Sequence, residues 1–217
     1  MMRPTQAPED PPHAARSQPT IRPCRDDEAE TMLAIINSAA EAYRGAIPVD
    51  CWHEPYMSLA ELQSEIAAGI TFVGYEVDGV LAGVMGIQPV RNVDLIRHAY
   101  VLPIYQGRGV GSVLMAYLRA QTSRPILVGT WTAATWAIRF YERHGFHLVP
   151  EAAKGPLLRS YWTVSERQIE TSVVLAAPRL TSEEAGQLVQ EPATSKRPSG
   201  LTPFGLTPIS RRSTDDG

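Results

Sequence analysis

Cysteine is scarce in this 217-residue chain, which contains only Cys24 and Cys51. Two cysteines are too few for a disulfide framework, and they lack the spacing of a metal site. Reduced thiols in a cytosolic protein are therefore the favoured interpretation, with one bridge between the two as the open alternative. We expect no metal centre.

Long apolar runs are also lacking. No run approaches the ~18 residues that a membrane span needs, and the N-terminal residues are polar and proline-rich, unlike a signal peptide. A net charge of -3 gives no bulk attraction to nucleic acid or to an anionic membrane. The sequence predicts a cytoplasmic protein with neither kind of partner.

Apolar residues make up 44% of the chain, which is enough to form the hydrophobic core of one domain. Residues 1–18 carry several prolines and almost no bulky apolar residues, so we expect a disordered N-terminal tail. Serine, threonine, proline and charges dominate residues 178–217, which predicts a second disordered, low-complexity tail. The folded domain is expected at residues 19–177.

Capping and turn residues divide that domain into short helices and strands. Ser58 followed by Glu61 is a capping-box pattern that predicts the start of a helix, and Asp78-Gly79 between two β-rich runs predicts a hairpin. Further strands are predicted at 94–101, 125–130, 146–149 and 169–175, and helices at 109–121, 135–144 and 152–161. Hairpins followed by strand–helix–strand units predict a mixed α/β sheet with helices on both faces.

A glycine-rich turn, residues 106–111 (Gln-Gly-Arg-Gly-Val-Gly), joins a predicted strand to a predicted helix. Such a turn points several backbone N–H groups at one place, and the helix dipole adds positive potential there. We therefore expect an anion site, most naturally for a phosphate. The turn fits neither the P-loop, because no lysine follows Gly111, nor the dinucleotide fingerprint, because Ser112 occupies the third glycine position.

Two segments resemble the GCN5-related N-acetyltransferase (GNAT) family. Gln106-x-x-Gly109-x-Gly111, preceded by Val-Leu-Pro, is similar to the pyrophosphate loop of that family. Residues 137–146, Ala-Ile-Arg-Phe-Tyr-Glu-Arg-His-Gly-Phe, look like its closing signature. The segments occur in the order typical of the family, and the resemblance covers roughly residues 20–176. The chain departs from the family at Ala134, where relatives often have an asparagine.

The resemblance implies acetyl-CoA as co-substrate and a mostly antiparallel sheet that splays between its fourth and fifth strands. Beside a bulge in the fourth strand, free backbone groups would bind the pantetheine amides and polarise the thioester carbonyl. The turn would hold the pyrophosphate, with added charge from Arg108. The predicted cofactor-binding residues are Tyr100, Val101, Gln106, Gly107, Arg108, Gly109, Val110, Gly111 and Ser112.

Proton transfer has three candidate residues. A lysine-like acceptor, with a pKa of about 10, must lose a proton before it attacks. His98, mid-strand beside the expected splay, is the first candidate base, and a hydrogen-bonded structural histidine is the alternative. Asp94 is the second candidate base, although strand starts often carry solvated acids. Tyr141 matches a tyrosine near the sulfur in many relatives, which implies a proton donor to the leaving thiolate; a core aromatic is the alternative.

Residues 43–56, here called the acceptor loop, connect the first two predicted helices. Long loops dense in aromatic and charged residues are usually functional. The predicted substrate-binding residues are Tyr43, Arg44, Trp52, His53 and Glu54, with Tyr56 as a further wall. A packed surface loop or a dimer contact is the alternative.

The sequence thus predicts an enzyme that transfers the acetyl group of acetyl-CoA to the amine of a small molecule or amino acid by direct attack. Two alternatives stay open: an N-acetyltransferase for proteins or peptides, and a non-catalytic acyl-CoA-binding module. Dimers are common in the family, so a homodimer is a further expectation.

Overall fold

A seven-stranded sheet forms the centre of the computed structural model, which describes residues 18–190. The strands are β1 (Thr20–Pro23), β2 (Thr71–Val77), β3 (Val80–Val90), β4 (Val93–Val101), β5 (Ile126–Trp131), β6 (His147–Leu148) and β7 (Ser172–Ala177). They lie in the order β1-β2-β3-β4-β5-β7-β6. All neighbours are antiparallel except β4 and β5, which confirms a mixed, mostly antiparallel sheet.

Helices surround this sheet. They are α1 (Ala29–Ala40), α2 (Leu59–Ala67), α3 (Val110–Ala120), α4 (Thr135–Arg143), α5 (Glu151–Tyr161), α6 (Glu166–Thr171) and α7 (Ser182–Gln190). α1 packs on β3 and β4, α3 packs on β2, β3 and β4, and α5 packs on β7. Their apolar faces build a larger core around Ile36 and Leu114 and a smaller one around Leu157 and Val174. The α/β class is confirmed.

Local signals explain where several elements begin and end. The Ser58 hydroxyl accepts a hydrogen bond from the backbone N–H of Glu61, whose side chain accepts one from the Ser58 N–H. This is the predicted capping box of α2. Asp78 and Gly79, with φ of 50° and 76°, close the β2–β3 hairpin. Gly145, with φ of 79°, ends α4 as predicted.

β4 diverges from β5 after a short contact. Their parallel pairing consists of Asp94 with Ile126 and Leu95 with Leu127. The backbone of residues 96–101 therefore faces a gap on the β5 side. The predicted splay between strands 4 and 5 is confirmed, and it leaves backbone groups available to a ligand.

A bulge in β4 accompanies this splay. On the β3 side, Val84 pairs with Tyr100 while Gly86 pairs with Arg97. Two residues of β4 therefore stand opposite one residue of β3, as in a β-bulge. His98, at the bulge, has φ of 48°, a left-handed conformation that is uncommon outside glycine.

The last strand begins later than the sequence predicts. Residues 169–171, predicted as strand, belong to α6, and β7 begins at Ser172. The Ser165 hydroxyl accepts a hydrogen bond from the backbone N–H of Gln168 and forms a second capping box. That helix-start signal decides the local structure, and the prediction was wrong for these three residues.

The folded domain extends beyond the predicted boundary at residue 177. α7 packs against α5, with Leu180 and Ala185 buried. Thr181 starts it with a third capping box, in which its hydroxyl and backbone N–H both bond Glu184. The polar composition of this segment did not indicate a helix, because only a few apolar residues are needed to form the one face that packs against α5. Residues 1–17 and 191–217, which hold most of both predicted tails, lie outside the described residues.

Residues 18–190 contain no helix that is both long and apolar enough to cross a membrane. The same residues contain no group of three or more His, Cys, Asp or Glu side chains suited to a metal ion.

Candidate active site

The glycine-rich turn lies between β4 and α3. Gly107 and Gly109 have φ of 73° and 83°, and a side chain added at either would meet open space. Gly109 directly precedes α3 and has no side chain to satisfy the N–H groups of the first turn. The Arg108 guanidinium lies 5.6 Å from the centre of the Tyr105 ring, so its charge is close by. The turn therefore suits an anion.

Close packing fixes the position of the turn. The Gln106 amide donates a hydrogen bond to the Val101 carbonyl oxygen, 3.1 Å away, which ties the turn to the end of β4. At Gly111 a Cβ would lie 3.3 Å from the Phe140 ring. A larger residue there would force α3 away from α4.

A cavity of about 530 Å³ extends from the turn along the free edge of β4. This volume is in the range of small-molecule sites. Its lining residues are Ala39, Ala42, Tyr43, Met85, Ala99, Tyr100, Val101, Gln106, Gly107, Gly111, Trp136, Ala137, Phe140, Tyr141 and Arg143. The structure thus brings several predicted cofactor residues together with Tyr43 and Tyr141.

Tyrosine side chains gather beside this cavity. The hydroxyl oxygens of Tyr56 and Tyr100 lie 2.7 Å apart. The Tyr43 ring lies 6.3 Å from the Tyr100 ring. These tyrosines and Tyr141 also line a second cavity, of about 30 Å³, that shares walls with the first.

Burial keeps these phenols protonated at neutral pH. It raises the pKa of Tyr43 to about 12, and it also raises the pKa values of Tyr56, Tyr100 and Tyr141. Each phenol can therefore donate a hydrogen bond or a proton, and none is ionised near pH 7.

Tyr141 is held on α4 by ring contacts with Phe140 and Phe146, at 5.3 and 5.8 Å. It borders both cavities. A phenol carries its proton near pH 7, so the Tyr141 hydroxyl can donate a hydrogen bond to a thiolate, although burial raises its pKa and makes it a weaker acid. The catalytic role of this side chain stays a prediction.

His98 lies beside the larger cavity without lining it. Its side chain is buried, and its Nε2 contacts one carboxylate oxygen of Glu65. Arg97 Nη2 donates to the other oxygen at 3.1 Å, and Arg97 Nη1 donates to Gln88 at 3.1 Å. Because of the bulge, two successive residues of β4 reach the same acid. This is the structural alternative that the sequence left open for His98.

Asp94, the second candidate base, lies far from the cavity. Asp94 lines neither cavity, and it lies five positions before Ala99, the first residue of β4 that lines the larger one, which is about 17 Å along an extended strand. It pairs with Arg124 at 3.0 Å and accepts the Thr122 hydroxyl at 2.5 Å. It therefore anchors the start of β4 to the segment before β5, and a catalytic role does not fit its position.

The acceptor loop divides into two parts. Tyr43 lines the cavity, whereas Arg44, Trp52 and Glu54 bind one another at the surface. Arg44 lies 2.5 Å from Glu54 and 4.7 Å from the Trp52 ring centre, and the Trp52 indole N–H donates to Glu54 at 2.9 Å. His53, half-buried beside them, does not line the cavity either. This cluster shapes the loop and leaves the cavity wall to Tyr43.

Comparison with protein families gives a match over residues 68–148, to the family described as "Acetyltransferase (GNAT) domain". That stretch contains both the glycine-rich turn and Tyr141. Residues 68–148 therefore match a GNAT acetyltransferase domain. The resemblance drawn from residues 106–111 and 137–146 is confirmed. The expected acyltransferase activity and the use of acetyl-CoA as co-substrate are also confirmed at the level of the family.

Solved structures share the fold of this GNAT domain. A GNAT acetyltransferase from Staphylococcus aureus Mu50 has a TM-score of 0.55 at 17% identity, over 73% of this chain and 98% of that one. The PaiA N-acetyltransferase of Thermoplasma acidophilum, in complex with coenzyme A, has a TM-score of 0.53 at 16% identity, over 74% and 98%. The ribosomal-protein-alanine N-acetyltransferase of Brucella melitensis gives 0.50 at 18%, over 72% and 97%. These identities show the fold alone. No curated protein matches the chain in a sequence comparison.

Sequence reasoning missed several residues of the GNAT domain that border the site. Glu65 had a usable signal: it lies three residues after Leu62 on α2, so it falls on the buried face of the helix. Trp136 lines the cavity, and its ring lies 5.3 Å from that of Tyr43. Thr130 gave no signal, because it lines the second cavity beside Tyr43 only where β5 approaches the acceptor loop.

Proposed function

We propose that this domain transfers the acetyl group of acetyl-CoA to the amine of a small molecule or amino acid by direct attack. One observation carries the proposal: a single cavity connects the N-terminus of α3 to the tyrosines beside the free edge of β4. An anion site at one end and proton-donating phenols at the other suit an extended phosphate-bearing thioester.

Backbone groups would hold the co-substrate. The N–H groups at the start of α3 fit a pyrophosphate, because Gly109 leaves them open and the helix dipole favours negative charge there. The β4 edge near Tyr100 and Val101 fits the pantetheine amides, because β5 has diverged from it. The co-substrate supplies an activated acetyl group. No side chain needs to be acylated in a direct transfer.

Two side chains have distinct parts in this proposal. Tyr141 donates a proton to the leaving thiolate, since it borders the cavity and its hydroxyl is protonated near pH 7. His98 holds the bulge of β4 through Glu65, so that the backbone beside Tyr100 faces the ligand. We therefore assign His98 a positioning part and give it no part as the base.

Binding of acetyl-CoA tests the first half of the proposal. Gly109→Glu places a negative side chain where the pyrophosphate would bind, and calorimetry should show affinity reduced by about 100-fold or more. Gly69→Glu is the matched control, because Gly69 also has a positive φ, of 98°, and open space around it. Equal affinity in the two variants would contradict the proposal.

Turnover tests the second half. The full chain with acetyl-CoA and a broad panel of amines should release free CoA and form N-acetylated product with at least one of them. Tight acetyl-CoA binding without CoA release on any amine would favour a non-catalytic module.

A further inference from the structure

The walls of the larger cavity are apolar and aromatic and, where charged, positive. Tyr43, Trp136 and Phe140 supply aromatic faces, and Arg143 is the charged residue among the described lining residues. Burial raises the pKa values of Tyr43 and Tyr141, so these phenols stay neutral. Within residues 18–190, the cavity lining thus presents no negative charge to an acceptor.

The acids that flank these walls do not line the cavity. Glu41 binds Arg44 at the surface, and Glu142 is exposed on α4. Glu65 contacts Arg97 with one oxygen and His98 with the other. Glu54 binds Arg44 and the Trp52 indole N–H at the surface.

One further acid acts on the tyrosines from outside the cavity. Glu61 contributes to the raised pKa of Tyr56, after burial and other causes. Its carboxylate accepts the backbone N–H of Ser58 in the capping box of α2, so it belongs to the helix start.

An alkylamine meets two obstacles in such a site. It arrives as an ammonium ion, because its pKa is about 10. The ion would lose hydration that no negative partner replaces. The lining of the larger cavity offers it no carboxylate or imidazole as a base, because His98 lines only the adjoining cavity of about 30 Å³ and contacts Glu65 there. Cation–π attraction to the aromatic faces would replace only part of the lost hydration free energy.

An aromatic amine avoids both obstacles. It is uncharged near pH 7, so its lone pair is available without prior deprotonation. Its ring can pack edge-to-face or offset against the aromatic walls, as the Tyr43 and Trp136 rings already do with each other at 5.3 Å.

We infer that the acceptors of this site are aromatic amines, which enter uncharged, and that alkylammonium ions are poor acceptors. This inference rests on the proposed N-acetyltransferase function and narrows its acceptors from small-molecule amines and amino acids to aromatic amines. The amine lone pair forms a bond to the acetyl carbon, and the carbon–sulfur bond breaks with its electron pair on sulfur. One N–H proton passes to sulfur by way of the Tyr141 hydroxyl, so that an aromatic amide and a free thiol result.

Two isomeric amines, 4-methylaniline and benzylamine, test the inference, because they share a composition and differ in charge at neutral pH. With the full chain and acetyl-CoA, we expect kcat/KM for 4-methylaniline to exceed that for benzylamine by ~100-fold at pH 7, because few benzylamine molecules are then uncharged. Between about pH 7 and 9 the benzylamine value should rise roughly tenfold per pH unit while the other stays level.

A charge added to the wall provides a second measurement. Ala42 lines the cavity and its side chain is small and exposed. Ala42→Glu should reduce the preference for 4-methylaniline by about tenfold, because it gives the ammonium ion a partner. Ala42→Gln, of nearly the same shape, should leave the preference unchanged.

Three results would overturn the inference. If the unaltered chain acetylated benzylamine at pH 7 as fast as 4-methylaniline or faster, the inference would fail and the proposed function would remain. Equal preference in Ala42→Glu and Ala42→Gln would remove charge as the cause. No CoA release with either isomer or with a wider amine panel, in protein that binds acetyl-CoA, would overturn the proposed function as well.

Discussion

The phenol oxygens of Tyr56 and Tyr100 lie 2.7 Å apart and join the acceptor loop to the free edge of β4. Both residues are buried, so one hydroxyl donates to the other away from water. A buried hydroxyl left without its partner costs more than an ordinary hydrogen bond gains. This contact therefore fixes the acceptor loop beside the cavity.

Tyr56→Phe should lower the free energy of unfolding by about 1–2 kcal/mol, because the Tyr100 hydroxyl then loses its partner. Urea denaturation measures the change. Tyr117→Phe is the control, since Tyr117 is half-buried on α3 and its hydroxyl bonds no other residue in the described range 18–190. The same loss in both variants would show that the contact contributes nothing.

Tyr141→Phe should reduce kcat by about 100-fold or more, because the leaving thiolate loses its proton donor. The affinity for acetyl-CoA should stay close to that of the unaltered chain, since the ring keeps its contacts with Phe140 and Phe146. Steady-state kinetics with any accepted amine, together with calorimetry, separates the two effects. Tyr117→Phe again serves as control, and a kcat unchanged in Tyr141→Phe would remove the residue from the mechanism.

Glu65→Ala should destabilise the fold by about 3–5 kcal/mol, because it leaves a buried guanidinium without its acid. The side chains of Glu65 and Arg97 are each only 1% exposed. Glu166→Ala breaks a surface ion pair with Arg159, of 2.6 Å, and should change stability little. Comparable urea midpoints for the two variants would contradict the importance of the buried pair.

Stability should fall between about pH 4.5 and pH 2 through Glu28. Hydrogen bonding to Arg22 lowers the pKa of Glu28 from 4.5 to about 2. A carboxyl group with a lowered folded-state pKa stabilises the fold above its unfolded value, and this stability is lost as the pH falls through the folded value.

Arg22→Gln should therefore lose most stability, relative to the unaltered chain, above about pH 4.5, and the difference should shrink towards pH 2. Urea midpoints across this window test it. Arg139→Gln is the control, since Arg139 is exposed on α4 and has no carboxylate partner among residues 18–190. A difference that stays constant across the window would exclude Glu28 as its source.

Local signals were enough to predict much of the fold. Capping at Ser58, the Asp78-Gly79 turn and the glycine at 145 each act within a few residues, and each occurs as predicted. The glycine-rich turn is of the same kind. Its backbone conformation is set by its own residues, and the family match includes it.

The candidate site was harder to predict, because it depends on contacts between distant residues. Tyr56 and Tyr100 are 44 positions apart in sequence, and nothing near either one indicates the other. His98 was a sound candidate base by residue type, but its acid partner Glu65 comes from a helix 33 positions earlier. Such pairings become visible only when the sheet brings α2 and β4 together.

The extra residue at the β4 bulge determines to which side of the sheet each following side chain of the strand points. Alternation alone would place residues 97, 99 and 101 on one side, but Arg97 and His98 both reach Glu65, and the pattern then restarts one position later. Tyr100 thereby faces the acceptor loop, and Val101 faces α3. A regular strand of the same sequence would turn Tyr100 to the opposite side and place Ala99 opposite Val84, where the phenol now stands. Its regular edge could also pair with β5 and close the cleft.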